Sequence, residues 1–280
     1  DVVEALREWV IEKGVSIKLN TKLEHVLTED GSVTGASIYK VQRKKKKFSR
    51  QADSEEISCD ALILTTGGAS YPATGSTGDG YKVCKKFGHQ IIPPRPALVP
   101  LEVKGIDGEM LTNLSLKNIN LTVWVDGKKI DEAFGEMEFT DFGVSGPVVL
   151  TLSRNIVELL HQQKSVTLNI DLKPALDHKK LDDRLIRDIQ KNGKKQLKSL
   201  LKDILPRQLI PFCFQQLALD PDKSGNDIKA VERKKLRNWL KEIPLQVVNH
   251  RPFSEAIITS GGVSLKEVHP DTMQSRIVQG

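Results

Sequence analysis

The sequence is poor in cysteine, in aromatic residues and in long apolar runs. Only 3 of its 280 residues are cysteines, and they show no CxxC or Cys/His spacing, so neither a disulfide framework nor a metal site is expected. No run approaches the roughly 20 apolar residues that cross a bilayer, and no signal-peptide pattern opens the chain. We therefore expect a protein of a reducing cytoplasm, with no membrane association.

The remaining composition, 39% hydrophobic and 28% charged, is typical of a globular protein. The length allows two domains with their own cores, or one domain with a large insertion. The chain enters a helical pattern directly at Asp1 and ends as an apolar run begins at Ile277. We interpret it as a fragment of a longer protein.

Positive charge is concentrated in one segment. Residues 177–242 contain 17 Lys and Arg against 10 Asp and Glu, whereas the rest of the chain has 25 against 26. This segment could contact a polyanion such as RNA, or it could be a solvated helical surface without a partner. A second basic run, residues 43–47, lies between strand-like segments and is predicted to be a hairpin tip.

Hydrophobic periodicity predicts an α/β chain with a β-rich middle and a helical insert. Ala61–Thr66 is an unbroken apolar run before Gly67 and Gly68, which is typical of a strand buried on both faces of a parallel sheet. The predicted helices are 2–12, 79–88 and several over 177–242; the predicted strands are 15–19, 23–29, 33–42, 47–58, 61–66, 116–125, 128–139, 148–152, 166–172, 245–248 and 256–263.

Glycine pairs are the candidate chemical motifs. A strand that ends in Gly67 and Gly68 lets a phosphate, ribose or flat ring approach the backbone, although the pair could equally form a tight turn. Residues 75–80, GSTGDG, are either a phosphate-binding loop or a helix start capped by Thr77 or Asp79. No complete GxGxxG or GxxxxGK[ST] is present.

Several motifs together resemble a known family. In chain order they are ALILTTGGASYPATGSTGDGYK (61–82), PALVPL (96–101), GE (135–136), EFTDFGVSGP (138–147), EA (255–256), SGGV (260–263) and DTMQS (271–275). This order is similar to that of the bacterial NAD(FAD)-utilizing dehydrogenases, also called BaiN-like flavoproteins.

The resemblance implies a partial FAD-binding Rossmann-like domain of the two-dinucleotide-binding type, made of residues 1–93 and 263–280. It implies a β-barrel-like insert over 94–174 and 244–262, and a helical insert over 175–243. The family's first glycine-rich βαβ unit is not in the sequence, so we expect the fragment alone to bind FAD weakly or not at all and to be inactive. The cofactor-binding positions that it implies are Lys22, Leu23, Thr65, Thr66, Gly67, Gly68, Gly261, Gly262 and Val263.

The implied activity of the intact protein is that of an FAD-dependent oxidoreductase that takes hydride from NAD(P)H and reduces a small organic molecule. The alternative is a flavin-bearing nucleic-acid-binding or RNA-modifying protein that docks through the basic helical insert. No catalytic residue is assigned, because His25, His89, His161, His178 and His269 have no partner at catalytic spacing. His250 and Arg251 either contact an anionic substrate or are structural. The oligomeric state is left open.

Overall fold

A computed structural model describes the chain except for residues 45, 46, 52, 106 and 107. The chain divides into two units. The first comprises residues 1–67, 78–93 and 261–280, and the second comprises residues 68–77 and 94–260.

The first unit begins with a helix and an antiparallel sheet. The expected N-terminal helix is confirmed as α1 (Val2–Glu12), and Asp1 Oδ1 caps it by accepting from the Val3 N–H at 2.7 Å. The strands are β1 (Thr21–Glu29), β2 (Ser32–Lys44), β3 (Lys47–Arg50) and β4 (Glu55–Ser58). β2 pairs with all three others, so the single strand expected over 47–58 is in fact two. Lys44 pairs with Lys47 as a hairpin requires, while residues 45 and 46 of the predicted tip lie outside the described part.

Two other strands expected in this unit do not form. Residues 15–19 and 61–66 carry no strand pairing among the described residues, and the Ile63 side chain is 85% exposed. A strand needs a neighbour for its N–H and C=O groups, and β1 to β4 pair with one another. The buried parallel strand predicted over 61–66 is therefore wrong. The helix expected after it is confirmed as α2 (Asp79–Lys86).

The second unit contains a closed barrel. After β5 (Ile91–Ala97) come β6 (Leu101–Lys104), α3 (Gly108–Leu111), β7 (Ser115–Val125), β8 (Lys128–Phe139) and β9 (Gly143–Ser145). Then α4 (Pro147–His161) precedes β10 (Val166–Asp171). With the later strand β11 (Ile243–His250), these strands close in the order β10-β11-β6-β9-β8-β7. Inward residues alternate with outward ones along β7, β10 and β11, as a barrel wall requires.

The α4 helix corrects the strand predicted over residues 148–152. Val148, Val149 and Leu152 have the β-branched, apolar character of a strand, but they are buried together with Ile156 and Val157 along one helical face. Packing against the barrel overrides the local preference, and Pro147 in the first turn favours the helix.

Four helices lie between β10 and β11: α5 (His178–Asn192), α6 (Leu197–Leu200), α7 (Leu209–Leu217) and α8 (Ala230–Lys241). The expected helical insert is thereby observed. One apolar core runs from the barrel into these helices and includes the fully buried Leu168, Leu181 and Leu209. The last strand, β12 (Ile258–Val263), pairs with β5. Among the described residues, no helix combines the length and the apolar character that a membrane span needs.

Candidate functional site

Two of the expected cofactor segments meet at the first turn of α2. Lys22 Nζ, near the start of β1, lies 3.3 Å from Asp79 Oδ2. Gly80 lies so close to Thr66 that a Cβ at position 80 would overlap the Thr66 hydroxyl oxygen. The absence of a side chain at Gly80 therefore lets the 61–67 segment approach the helix.

A third expected segment reaches the next residue of the same turn. Gly262 has φ +106°, and a Cβ there would lie 2.9 Å from Tyr81 Cε1. Its neighbour Gly261 has φ +85°, and a Cβ there would lie 2.6 Å from the carbonyl oxygen of Pro93. Three segments far apart in sequence thus contact three consecutive residues of α2.

Tyr81 places an available phenol at this turn. Its hydroxyl has no hydrogen-bond partner among the residues that the structure describes, and the side chain is half-buried. Burial raises the pKa of the phenol, so it keeps its proton at neutral pH. A neutral phenol can donate a hydrogen bond to a ligand beside Gly262.

A cavity of about 270 Å³ lies at the other end of the expected site. It includes the predicted Lys22 and Leu23, and its lining is Lys22, Leu23, Glu24, Tyr39, Val41 and Arg50. The Arg50 guanidinium carbon stacks 4.8 Å from the Tyr39 ring centre. Hydrogen bonds from Ser54 and Arg50 hold the pKa of Glu24 below its usual range. The volume is just below the roughly 300 Å³ at which small-molecule pockets begin, so it suits one ring system.

The remaining expected cofactor positions are more exposed. Thr65 and Gly67 lie on the surface, Gly67 with φ +70°. Gly68 directly precedes Ala69, whose N–H donates to Thr259 Oγ1 at 2.8 Å. Val263, at the end of β12, is half-buried. In the predicted loop over 75–80, a helix does start: α2 begins at Asp79, and its N-cap residue is Gly78, which has no side chain.

Sequence reasoning missed the partners of His89. This buried ring has Nδ1 3.1 Å from Glu267 Oε2 and Nε2 2.9 Å from Ser275 Oγ. The spacing resembles a Ser-His-carboxylate triad. However, Ser275 Oγ also accepts the N–H groups of Ile277 and Val278 at 3.0 and 2.9 Å, so its lone pairs are already engaged. The cluster ties the C-terminal segment to the end of α2 and does not supply a free nucleophile.

The structure supports the structural alternative for Arg251. Its guanidinium bonds Glu255 at 2.8 and 2.9 Å and Glu102 at 3.0 Å, and it stacks on Phe142. Hydrogen bonds to Glu255 and Glu102 raise its pKa above the already high normal value. His250 contributes Nδ1 to the Arg251 carbonyl oxygen at 2.9 Å. These two side chains already have protein partners.

The helical insert carries a basic surface. Ten of its 17 cations are exposed and lie in no ion pair within 4 Å among the described residues. The basic surface consists of Lys179, Arg187, Lys191, Lys194, Lys195, Lys202, Arg207, Lys229, Lys234 and Lys235. Three of these, Lys191, Lys194 and Lys195, lie at and just beyond the C-terminal end of α5, where an anionic strand could contact them together.

Comparisons with known proteins place the second unit in a described family. The family "HI0933-like protein barrel and H2TH domain" matches residues 95–258. A 3-dehydro-bile acid delta(4,6)-reductase of Clostridium scindens is 27% identical over 88% of this chain and 60% of its own length. The ribosomal RNA dihydrouridine synthase of Haemophilus influenzae is 29% identical over 100% of this chain and 64% of its own. The protein of the same name from Escherichia coli is 28% identical over 90% and 61%. The chain therefore spans about three fifths of the curated relatives that it matches.

Proposed function

This chain belongs to the HI0933-like barrel and H2TH family, and on that premise we propose that the intact protein is a flavin-dependent oxidoreductase that saturates a carbon–carbon double bond. One relative is named as a delta(4,6)-reductase and two as dihydrouridine synthases. Dihydrouridine is uridine whose ring carbon–carbon double bond has gained two hydrogens. Both names therefore describe the same kind of reduction on different molecules.

The observation that carries the flavin proposal is the convergence on the first turn of α2. Lys22, Thr66 and Gly262 belong to three segments that a BaiN-like NAD(FAD)-utilizing dehydrogenase would use for FAD, and each contacts this turn. The ring-sized cavity at Lys22 and Leu23 suits the adenine. We therefore propose that these residues hold parts of a dinucleotide, within the partial Rossmann-like domain that the resemblance implies over 1–93 and 263–280.

When bound, a flavin would supply the hydride chemistry, with NAD(P)H as the proposed electron donor. The chain's own residues bind and orient. The Gly261–Gly262 turn would let the flavin approach the backbone, and the neutral phenol of Tyr81 beside Gly262 would be available to donate a hydrogen bond to it. Lys22 is held by Asp79 with its charge directed to the start of α2.

For the substrate, we favour uridine in ribosomal RNA over a small organic molecule. The specific observation is the basic surface: its ten exposed cations form no ion pair with any residue that the structure describes, so they are available to attract a phosphate backbone, which a neutral small molecule does not require. Two relatives are named for ribosomal RNA. The small-molecule alternative rests on the reductase named for bile acids.

Dihydrouridine in ribosomal RNA tests this preference. We expect mass spectrometry to find a dihydrouridine in ribosomal RNA from cells that have the intact protein, and a uridine at that position in cells that lack it. Restoring the gene should restore the modification. Identical ribosomal RNA from both strains would contradict the RNA substrate and leave the small-molecule reductase.

The salt dependence of RNA affinity tests separately whether the basic surface contacts RNA. Changing Lys191 and Lys195 to Gln removes two exposed charges of the basic surface. If both contact RNA phosphates, the slope of log affinity against log salt should fall by about 1.4 to 1.8 units, since each phosphate contact contributes about 0.7 to 0.9. The matched control changes the exposed Lys13 and Lys266 to Gln and should leave the slope unchanged. An unchanged slope in both variants would exclude this docking mode.

A further inference from the structure

The outer wall of the barrel carries a row of ring-forming and hydrogen-bonding side chains. Register places Trp124 on β7, Thr167 on β10 and Gln246 on β11 side by side. Two residues further along the same strands, Thr122, Asn169 and Pro244 lie side by side in the same way. The intervening residues, such as Leu168 and Val123, point into the fully buried core. We call the six outward residues the Trp124 face.

A cavity of about 450 Å³ lies on the Trp124 face, within the roughly 300–1,000 Å³ of small-molecule sites. It is lined by Trp124, Asp126, Gly127, Ser165, Thr167, Asn169 and Pro244. Its size suits a single ring with its sugar.

Two features of this cavity are those of a recognition site. The Trp124 indole is held in place because its Nε1–H donates to Thr122 Oγ1 at 2.9 Å. The Asn169 side-chain amide, which has both donors and an acceptor, has no hydrogen-bond partner among the described residues. The neighbouring Gln246 amide, by contrast, is engaged with the Val166 carbonyl oxygen at 3.0 Å. An oriented ring beside a free amide can stack a planar group and read its edge.

We propose that the Trp124 face binds an unpaired nucleobase, which stacks on Trp124 and pairs its edge with Asn169. Every base has a π-face, and stacking on an aromatic side chain is how proteins hold single-stranded nucleic acid. The local charge suits a neutral base, since Asp126 is paired with Lys164 at 3.6 Å.

The position of the face indicates that the base belongs to RNA that also contacts the helical insert, and in this respect the inference rests on the proposed function. Asn169 is two residues before Asp171, whose carboxylate is 2.5 Å from Lys241 Nζ at the end of α8. The Leu172 N–H also donates to the Leu240 carbonyl oxygen at 3.0 Å. The strand that carries Asn169 is therefore joined directly to the end of α8 in the helical insert, which carries the basic surface.

Binding of a short oligouridine to the intact protein tests the proposal. Stacking is worth about 1–3 kcal/mol per base, so Trp124→Ala should weaken affinity by about 5- to 150-fold. The salt slope should not change, because no ionic contact is lost. Asn169→Ala, which leaves the indole in place, should weaken binding several-fold. The control Trp9→Phe, at a 57% exposed indole on α1, should bind as the unchanged protein does.

Tryptophan fluorescence gives a second readout, and it uses Trp124→Phe in case Trp124→Ala folds poorly. Free uridine should quench part of the emission of the unchanged protein, and the quenched part should be missing in Trp124→Phe. Quenching by uridine without RNA binding would uphold the base site and refute the RNA substrate. Normal RNA binding by Asn169→Ala together with equal quenching in Trp124→Phe would refute the base site and leave the proposed function standing.

Discussion

Gly262→Ala should destabilise the protein more than its backbone angle alone explains. At φ +106° a residue with a Cβ is strained, at a cost of order 1–3 kcal/mol. The new Cβ would also lie 2.9 Å from Tyr81 Cε1, and such overpacking costs about 1–3 kcal/mol. Together we expect a loss of about 2–6 kcal/mol in the free energy of unfolding.

Gly31→Ala is the matched control for this effect. Gly31 has φ +80° in the same unit, but a Cβ there meets nothing within 4 Å, so only the strain remains. Urea unfolding of both variants measures how much more free energy of unfolding Gly262→Ala loses than Gly31→Ala. We assign this difference to the contact with Tyr81. In Gly262→Ala, the additional change Tyr81→Ala should recover part of it, as coupled neighbours do. Equal losses for Gly262→Ala and Gly31→Ala would refute the packing of Gly262 on Tyr81.

Three further outcomes follow from burial and hydrogen bonding. Leu168→Ala, at a fully buried barrel position, should lower the free energy of unfolding by about 2–5 kcal/mol in a urea titration. Cys213 should resist a thiol reagent at neutral pH, because burial raises its pKa to about 12, while the half-exposed Cys59 should react; mass spectrometry distinguishes them. Glu232 has its pKa lowered chiefly by the Lys223 ammonium, so it stabilises the fold above its normal pKa and this contribution is lost as the pH falls. Glu232→Gln should therefore flatten the acid side of the stability profile, and an unchanged profile would contradict that assignment.

Local pattern in the sequence was sufficient for most elements. The barrel hairpin at Asp126 and Gly127 has a turn pair between two alternating strands, and β7 and β8 form there as expected. Local sequence pattern failed where packing between elements decides which secondary structure forms. Val148 and Val149 favour a strand, yet they lie in α4, where they are buried on the helix face that packs against the barrel. Ala61–Thr66 has the apolar residues of a strand but no neighbouring ladder among the described residues.

The sequence predicted the separate segments of the candidate site but not that they contact one another. Lys22, Thr66 and Gly262 could each be picked out by resemblance, but their shared contact with the first turn of α2 joins positions up to 240 residues apart, which no local pattern encodes. The same holds for His89, whose partners lie 178 and 186 residues away. That the Tyr81 hydroxyl has no partner among the described residues follows from the arrangement of the surrounding segments, which the sequence around Tyr81 does not encode.

The reduction of a bound flavin tests the central claim most directly. The intact protein, loaded with FAD, should be yellow, and NADH or NADPH added without oxygen should bleach the flavin absorption band. Adding the substrate, uridine in ribosomal RNA, should restore the band as the double bond is saturated. A protein that stays colourless with FAD, or whose flavin neither nicotinamide cofactor bleaches, would contradict the assignment as a flavin-dependent oxidoreductase.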